Sequence, residues 1–248
     1  LSERRDPHVD LSRAPDELCS IATGDYISAE RLAWGYRQLA RVRPRGVLAC
    51  LSSESFELLR LVPPGVVRLG IIQSDDPGPY QLLAHVAPWL DGMVGVSAEI
   101  CAKMRALPQA AGVRLEHIPY GIDFAPGTPR AVEPGAGPLR VVYLGRLVEV
   151  QKRVSRLVRL IQLLEKRRAN IRFTLVGQGP QEAEMRAALA GCASVEFRGA
   201  LPYAEVPALL REQDVYILLS DFEGLPLSLL EAMAQGVIPV VSDLASGI

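Results

Sequence analysis

The sequence predicts an α/β protein made of two doubly wound, Rossmann-like parallel-sheet domains facing a cleft. Three observations carry this. Short apolar runs, continuous rather than alternating, recur along the chain as the buried strands of a parallel sheet do. Amphipathic stretches at helical spacing separate them. A segment in which Gly and Pro hold eight of eighteen positions, 121–138, divides the chain. The expected organisation is an N-terminal domain over 1–120, a linker over 121–138 and a C-terminal domain over 139–248. Ligands of such open sheets bind outside the carboxyl ends of the strands.

In the first half, strands are expected at 47–51, 66–72, 93–96 and 115–118, and helices around 29–39, 80–90 and 98–107. After the linker, strands are expected at 139–144, 171–176, 195–197, 215–219 and 237–241. Between the first two of these, Val154, Leu157, Val158, Ile161 and Leu164 recur at helical spacing, with Ser155, Arg156, Arg159 and Gln162 on the opposite side, which describes a crossover helix. A last helix runs from Pro226, suited to a first turn, to Gly236, suited to an end. At 100° per residue its apolar face is Leu229, Met233, Leu230, Ala234 and Leu227, with Glu231 about 40° beyond Leu227. No internal repeat is visible.

The 248 residues are 49% hydrophobic, and 27 basic side chains face 28 acidic ones, so the chain is not a disordered tail and offers no overall attraction to nucleic acid or to an anionic membrane. Cys19, Cys50, Cys101 and Cys192 form no Cys-x-x-Cys pair and have only His8, His85 and His117 for company. That argues against a zinc site or a disulfide framework and for four reduced thiols in a cytoplasmic protein. No apolar run approaches the roughly 18 residues of a spanning helix, so no transmembrane segment is expected and peripheral membrane contact stays open. The start, Leu1-Ser2-Glu3-Arg4-Arg5-Asp6, lacks Met and is too charged for a signal segment, and the chain is expected to be a fragment.

Three constellations carry chemistry. Gly177-Gln178-Gly179-Pro180 follows a strand and opens a helix, but Glu182 stands where a dinucleotide loop needs its third glycine and no Walker Lys-Ser/Thr follows. A tight turn with Pro180 near the first helical position is favoured over a ligand contact. Glu223 lies in the loop after a strand, ahead of a helix rather than in a core, so its replacement is expected to leave the fold intact. Backbone N–H groups around Leu225, Pro226, Leu227 and Ser228 then face the cleft as an anion site. Gly145-Arg146-Leu147 ends a strand and Gln151-Lys152-Arg153 starts the crossover helix, so two cations bracket one loop in a manner suited to a diphosphate. A solvated basic face is the alternative, favoured for Arg156, Arg159, Lys166, Arg167 and Arg168. Asp75 and Asp76, before Pro77, either face the cleft or cap a turn.

In order and spacing, Gly145-Arg146-Leu147 with Lys152, then Val176-Gly177-Gln178-Gly179-Pro180, then Val195-Glu196-Phe197-Arg198-Gly199, then Glu223 and Glu231 resemble the donor-binding half of the family 4 retaining glycosyltransferases of the GT-B fold. The likeness covers 139–248 well, extends to Ile118-Pro119-Tyr120-Gly121-Ile122-Asp123, and is loose over the first 117 residues. It implies a partial acceptor-side domain, then the linker, then a nucleotide-sugar domain truncated at its end. It implies that Glu223 binds the transferred sugar and acts in catalysis, that Glu231 holds the ribose hydroxyls, and that Arg146 and Lys152 bind the diphosphate. Gly177, Gly224, Leu225, Pro226 and Leu227 complete the donor site. A nucleotide diphosphate sugar is then a co-substrate, no cofactor or metal is required, and the acceptor is a saccharide, a lipid-linked group or a small molecule. Many members place Lys where Gln151 stands, so the loop before Lys152 is expected to be longer or differently wound. A sugar-nucleotide isomerase or phosphorylase, a nicotinamide dehydrogenase and a non-catalytic nucleotide-sugar-binding protein are the rival readings.

Overall fold

A computed structural model describes residues 28–50, 52–123 and 137–244. Cys19, most of the expected linker and both chain ends lie outside the described residues. The chain divides into two compact units, the first ending at Pro119 and the second beginning at Tyr120.

The first unit contains α1 (Ser28–Val42), β1 (Gly46–Ala49), α2 (Ser53–Leu61), β2 (Val67–Ile72), α3 (Pro77–Val86), β3 (Gly92–Gly95), α4 (Ala98–Arg105) and β4 (Arg114–His117). Its four strands are parallel, in the order β1-β2-β3-β4. α2 escapes the sequence reading because its start is Ser-rich. Ser52 is its N-cap, accepting from the Ser55 N–H at 3.1 Å, and Phe56 and Leu59 are its buried face. Asp76 caps α3 through the Gly78 N–H at 2.9 Å, so the capping alternative holds for it. Asp75 accepts from Tyr80 at 2.6 Å and from Lys103 at 2.7 Å.

The second unit contains β5 (Leu139–Leu144), α5 (Glu149–Lys152), α6 (Val154–Lys166), β6 (Ile171–Val176), α7 (Glu182–Ala188), β7 (Val195–Gly199), α8 (Val206–Arg211), β8 (Val215–Leu218), α9 (Leu227–Ala234) and β9 (Ile238–Val241). Its five parallel strands lie in the order β7-β6-β5-β8-β9. The chain winds outward from β5 through β6 to β7, then returns to the other side of β5 for β8. Ligands of open parallel sheets bind at such a reversal, outside the carboxyl ends of the two strands.

Packing and electrostatics fix these two strands together. Val141, Val142 and Tyr143 of β5 and Tyr216, Ile217 and Leu218 of β8 are buried in one core with Val154, Leu157 and Ile161 of α6, each large side chain contributing about 1.5–3 kcal/mol of burial. The Arg140 N–H and guanidinium donate to Asp214 at 2.9 and 3.0 Å, and the Asp214 N–H returns to the Arg140 carbonyl at 2.9 Å. Arg140 holds the Asp214 carboxyl below the usual carboxylate range.

α9 departs from its expected face. Leu229 and Ala232 are its buried residues, whereas Leu227 and Met233 are 41% and 54% exposed. The helix packs against α8, β8 and β9 along the Leu229–Ala232 line, and spacing alone does not say which of two adjacent apolar lines meets them.

Candidate functional site

β5 delivers Gly145-Arg146-Leu147 to its carboxyl end. Tyr143, buried one residue before the strand's end, donates its hydroxyl to the Arg146 carbonyl at 2.7 Å and pins the loop. Burial raises its phenol, which keeps it a donor. The loop after β6 packs on the same segment. A Cβ on Gly177, whose φ is +131°, would stand 1.8 Å from the Gly145 carbonyl oxygen, and one on Gly179 would stand 2.2 Å from that of Leu147. The Leu147 N–H donates to Gln178 at 2.9 Å and the Gln181 N–H to Leu147 at 3.2 Å. The space a side chain would need at Gly177 is therefore filled by the chain's own backbone, so only glycine fits there. Pro180 lies just ahead of α7, whose N-cap is Gln181.

α5 is one turn long and ends at Arg153 in the left-handed conformation, φ 48° and ψ 50°. That turn directs Gln151 and Lys152 to the loop after β8. The Lys152 ammonium donates to Glu223 Oε1 at 2.7 Å. The Gln151 amide nitrogen donates to Glu223 Oε2 and to the Phe222 carbonyl, both at 3.2 Å, and its oxygen accepts from Arg146 Nη2 at 2.7 Å. Both carboxylate oxygens of Glu223 are thus held by neighbours in sequence.

The same loop is clamped from behind. The Asp221 N–H donates to the Gln151 carbonyl at 2.9 Å. Its carboxylate takes the Arg153 guanidinium and, at 2.6 Å, that of Arg156. Arg153 first, then Arg156, hold Asp221 below the usual carboxylate range. Arg156, exposed as expected of a solvated face, also donates to the Leu219 carbonyl at 3.2 Å.

The expectation that Glu223 stands outside a core is corrected here: it is only 4% exposed and pairs with Lys152, itself 9% exposed. The reason is that neither charge is stable in a desolvated position alone, and each neutralises the other. Arg146 is exposed, and its guanidinium has four further N–H donors beyond the one given to Gln151.

α9 starts beside them. Pro226 is its N-cap and no side chain caps it, which leaves first-turn amides near Leu227 for solvent or an anion. The Tyr216 hydroxyl and Ser228 Oγ, 2.7 Å apart, tie this end to β8. Gly224 and Pro226 are buried and Leu225 half-buried. Glu231, half-buried in the second turn, has its carboxyl raised by desolvation, and among the described residues no side-chain hydrogen bond joins it to Glu223. Among the described residues, too, no group of three or more His, Cys, Asp or Glu is placed to hold a metal ion, and no helix is long and apolar enough to cross a membrane. Cys101 is buried, Cys50 and Cys192 are half-buried, and all three are free thiols.

An exposed Arg, an uncapped helix start and a clamped carboxylate at the carboxyl ends of β5 and β8 suit an anionic ligand bearing hydroxyl groups. Residues 138–248 match the family model of the glycosyl transferases, group 1. WcaL of Escherichia coli (strain K12), provisionally named a colanic acid biosynthesis glycosyltransferase, is 36% identical over 137 residues, which is 52% of this chain and 33% of that protein. The amylovoran biosynthesis glycosyltransferase AmsK of Erwinia amylovora is 34% identical over 122 residues, 45% of this chain and 29% of its own. The chain thus spans about a third of the length of these relatives. Among solved structures, a variant of S. aureus TarM in complex with fondaparinux, alpha-GlcNAc-glycerol and UDP superposes with a TM-score of 0.70 at 18% identity, over 86% of this chain and 45% of that one. The fold is of the GT-B type, with two parallel-sheet α/β units.

Gln151, Asp221, Arg153 and Arg156 are the residues of this cluster that sequence reasoning did not assign to it. The signal for Gln151 was its position five residues after Arg146. Nothing in the sequence marks Asp221 as their partner.

Proposed function

We propose that the chain carries the donor-binding part of a retaining glycosyltransferase, which takes a sugar from a nucleotide diphosphate sugar and delivers it to an acceptor with its anomeric configuration kept. The observation that carries this reading is Glu223, held at the strand-order reversal with the exposed Arg146 one hydrogen-bonded residue away. Arg146 and the first-turn amides of α9 receive the diphosphate, Lys152 adds its charge from beneath, and Glu223 faces the transferred sugar. Glu231 receives the ribose hydroxyls as an ionised acceptor. The cations stabilise the departing diphosphate, so that no metal is required for that step. The likeness to glycosyltransferases and the UDP in the TarM complex support this reading.

The test is a binding screen of nucleotide sugars against the full-length protein, followed by determination of product anomeric configuration. Binding with transfer and retention is expected. Binding without transfer would favour a nucleotide-sugar-binding protein, and rearrangement of the donor without an acceptor would favour an isomerase.

A further inference from the structure

Glu223 and Arg146 do not touch; one side chain stands between them. Gln151 accepts from Arg146 Nη2 through its amide oxygen, and donates from its amide nitrogen to Glu223 Oε2 and to the Phe222 carbonyl. The orientation of this amide is forced, because a guanidinium only donates whereas a carboxylate and a carbonyl only accept. The backbone of Gln151 is fixed too, since its carbonyl accepts from the Asp221 N–H at 2.9 Å.

We propose that Gln151 is a positioning residue that couples occupation of Arg146 by a diphosphate to the placement of the Glu223 carboxylate. This rests on the reading of Arg146 as a diphosphate ligand given above. The mechanism follows from the sharing of one guanidinium. A phosphate oxygen is a stronger, charged acceptor than an amide oxygen and draws the Arg146 N–H groups toward itself. The Gln151 oxygen then loses or lengthens its bond, the amide is less polarised, and its N–H groups hold Glu223 Oε2 less tightly. Lys152 keeps Oε1 throughout. With Arg146 bonded to Gln151, Glu223 is held through both oxygens, and a bound diphosphate frees Oε2 toward the sugar. Deleting the amide should leave a diphosphate bound but uncoupled from the carboxylate.

The experiment observes the amide itself. In the full chain labelled with 15N-glutamine, the Gln151 side-chain NH2 resonances are assigned by their loss in Gln151→Met and, should that variant fold poorly, by their loss in Gln151→Asn, whose side chain is unlabelled. Inorganic pyrophosphate is the probe, since it carries no base or sugar. The expected result is that the Gln151 NH2 signals shift on saturation with pyrophosphate in the parent and stay fixed in Arg146→Ala at a concentration that gives equal occupancy. In Glu223→Gln they should start from a different position, because one acceptor has lost its charge. Pyrophosphate binding with no shift in the parent, or an equal shift in Arg146→Ala, overturns the coupling and leaves the donor reading standing. Absence of pyrophosphate binding to the parent overturns both.

Discussion

Lys152 and Glu223, 71 residues apart in the chain, form an ion pair of 2.7 Å whose side chains are 10% and 5% exposed. Removing one partner of a buried pair strands the other charge, at about 3–5 kcal/mol, whereas replacing both with apolar groups of similar volume is often neutral. Lys152→Met and Glu223→Leu should each lower stability by about that much, and the double variant should recover most of it. Urea unfolding of the three variants reads this directly, and additive losses would sink it. The expectation that Glu223 can be replaced with the fold intact is thus revised.

Arg146 is an exposed cation at the end of β5. Charge-assisted hydrogen bonds contribute about 1.5–3 kcal/mol each, so Arg146→Ala should weaken nucleoside diphosphate binding about tenfold or more and leave nucleoside binding nearly unchanged. Calorimetry with both ligands is the check. Equal losses would remove the phosphate role.

Gly177 and Gly179 admit the backbone of Gly145 and Leu147. A methyl group at either position forces that backbone to move, at about 1–3 kcal/mol or more. Gly191, with nothing within 4 Å of its virtual Cβ, provides the control. Gly177→Ala and Gly179→Ala should unfold at lower urea than the parent, and Gly191→Ala should not. Three superimposable curves would refute the packing role.

Arg153 ends α5 in a left-handed conformation that disfavours a side chain by roughly 1–2 kcal/mol. Arg153→Ala and Arg153→Gly both lose the Asp221 contact, but only glycine relieves the backbone. The Gly variant should therefore be more stable than the Ala variant by about 1 kcal/mol. Thermal melting orders the two, and Ala at or above Gly contradicts the strain.

Burial raises the Glu231 carboxyl. A carboxyl that is raised in the folded state stabilises the protein when protonated, and that contribution is lost as pH rises through the folded value. Glu231→Gln, permanently neutral, should gain stability over the parent above the ordinary carboxylate range and converge with it below that range. The same protonation should weaken ribose binding, so nucleoside affinity is expected to fall on acidification sooner than an ordinary glutamate would cause. A stability difference independent of pH between 4 and 8 would contradict the linkage.

The parallel strands, the crossover helix and the positions of Arg146, Glu223 and Glu231 at strand ends or in the following helix were legible in the sequence. Buried strands read as continuous apolar runs, and 139–144 and 171–176 match β5 and β6 to the residue. α2 was not legible because serines at its start carry no apolar period, and neither was the short α5, which stops at a left-handed arginine where glycine is the usual signal. Tertiary structure alone decided the rest. The sequence determined which residue types arrive at the carboxyl ends of β5 and β8. The reversal of strand order beside β5 determined that Lys152 and Gln151 meet Glu223, that Asp221 meets Arg153 and Arg156, and that Gly177 packs against the Gly145 backbone. Partners so far apart are joined because buried charges and buried amides must find complements wherever the packed chain places them, and linear spacing holds no record of that choice.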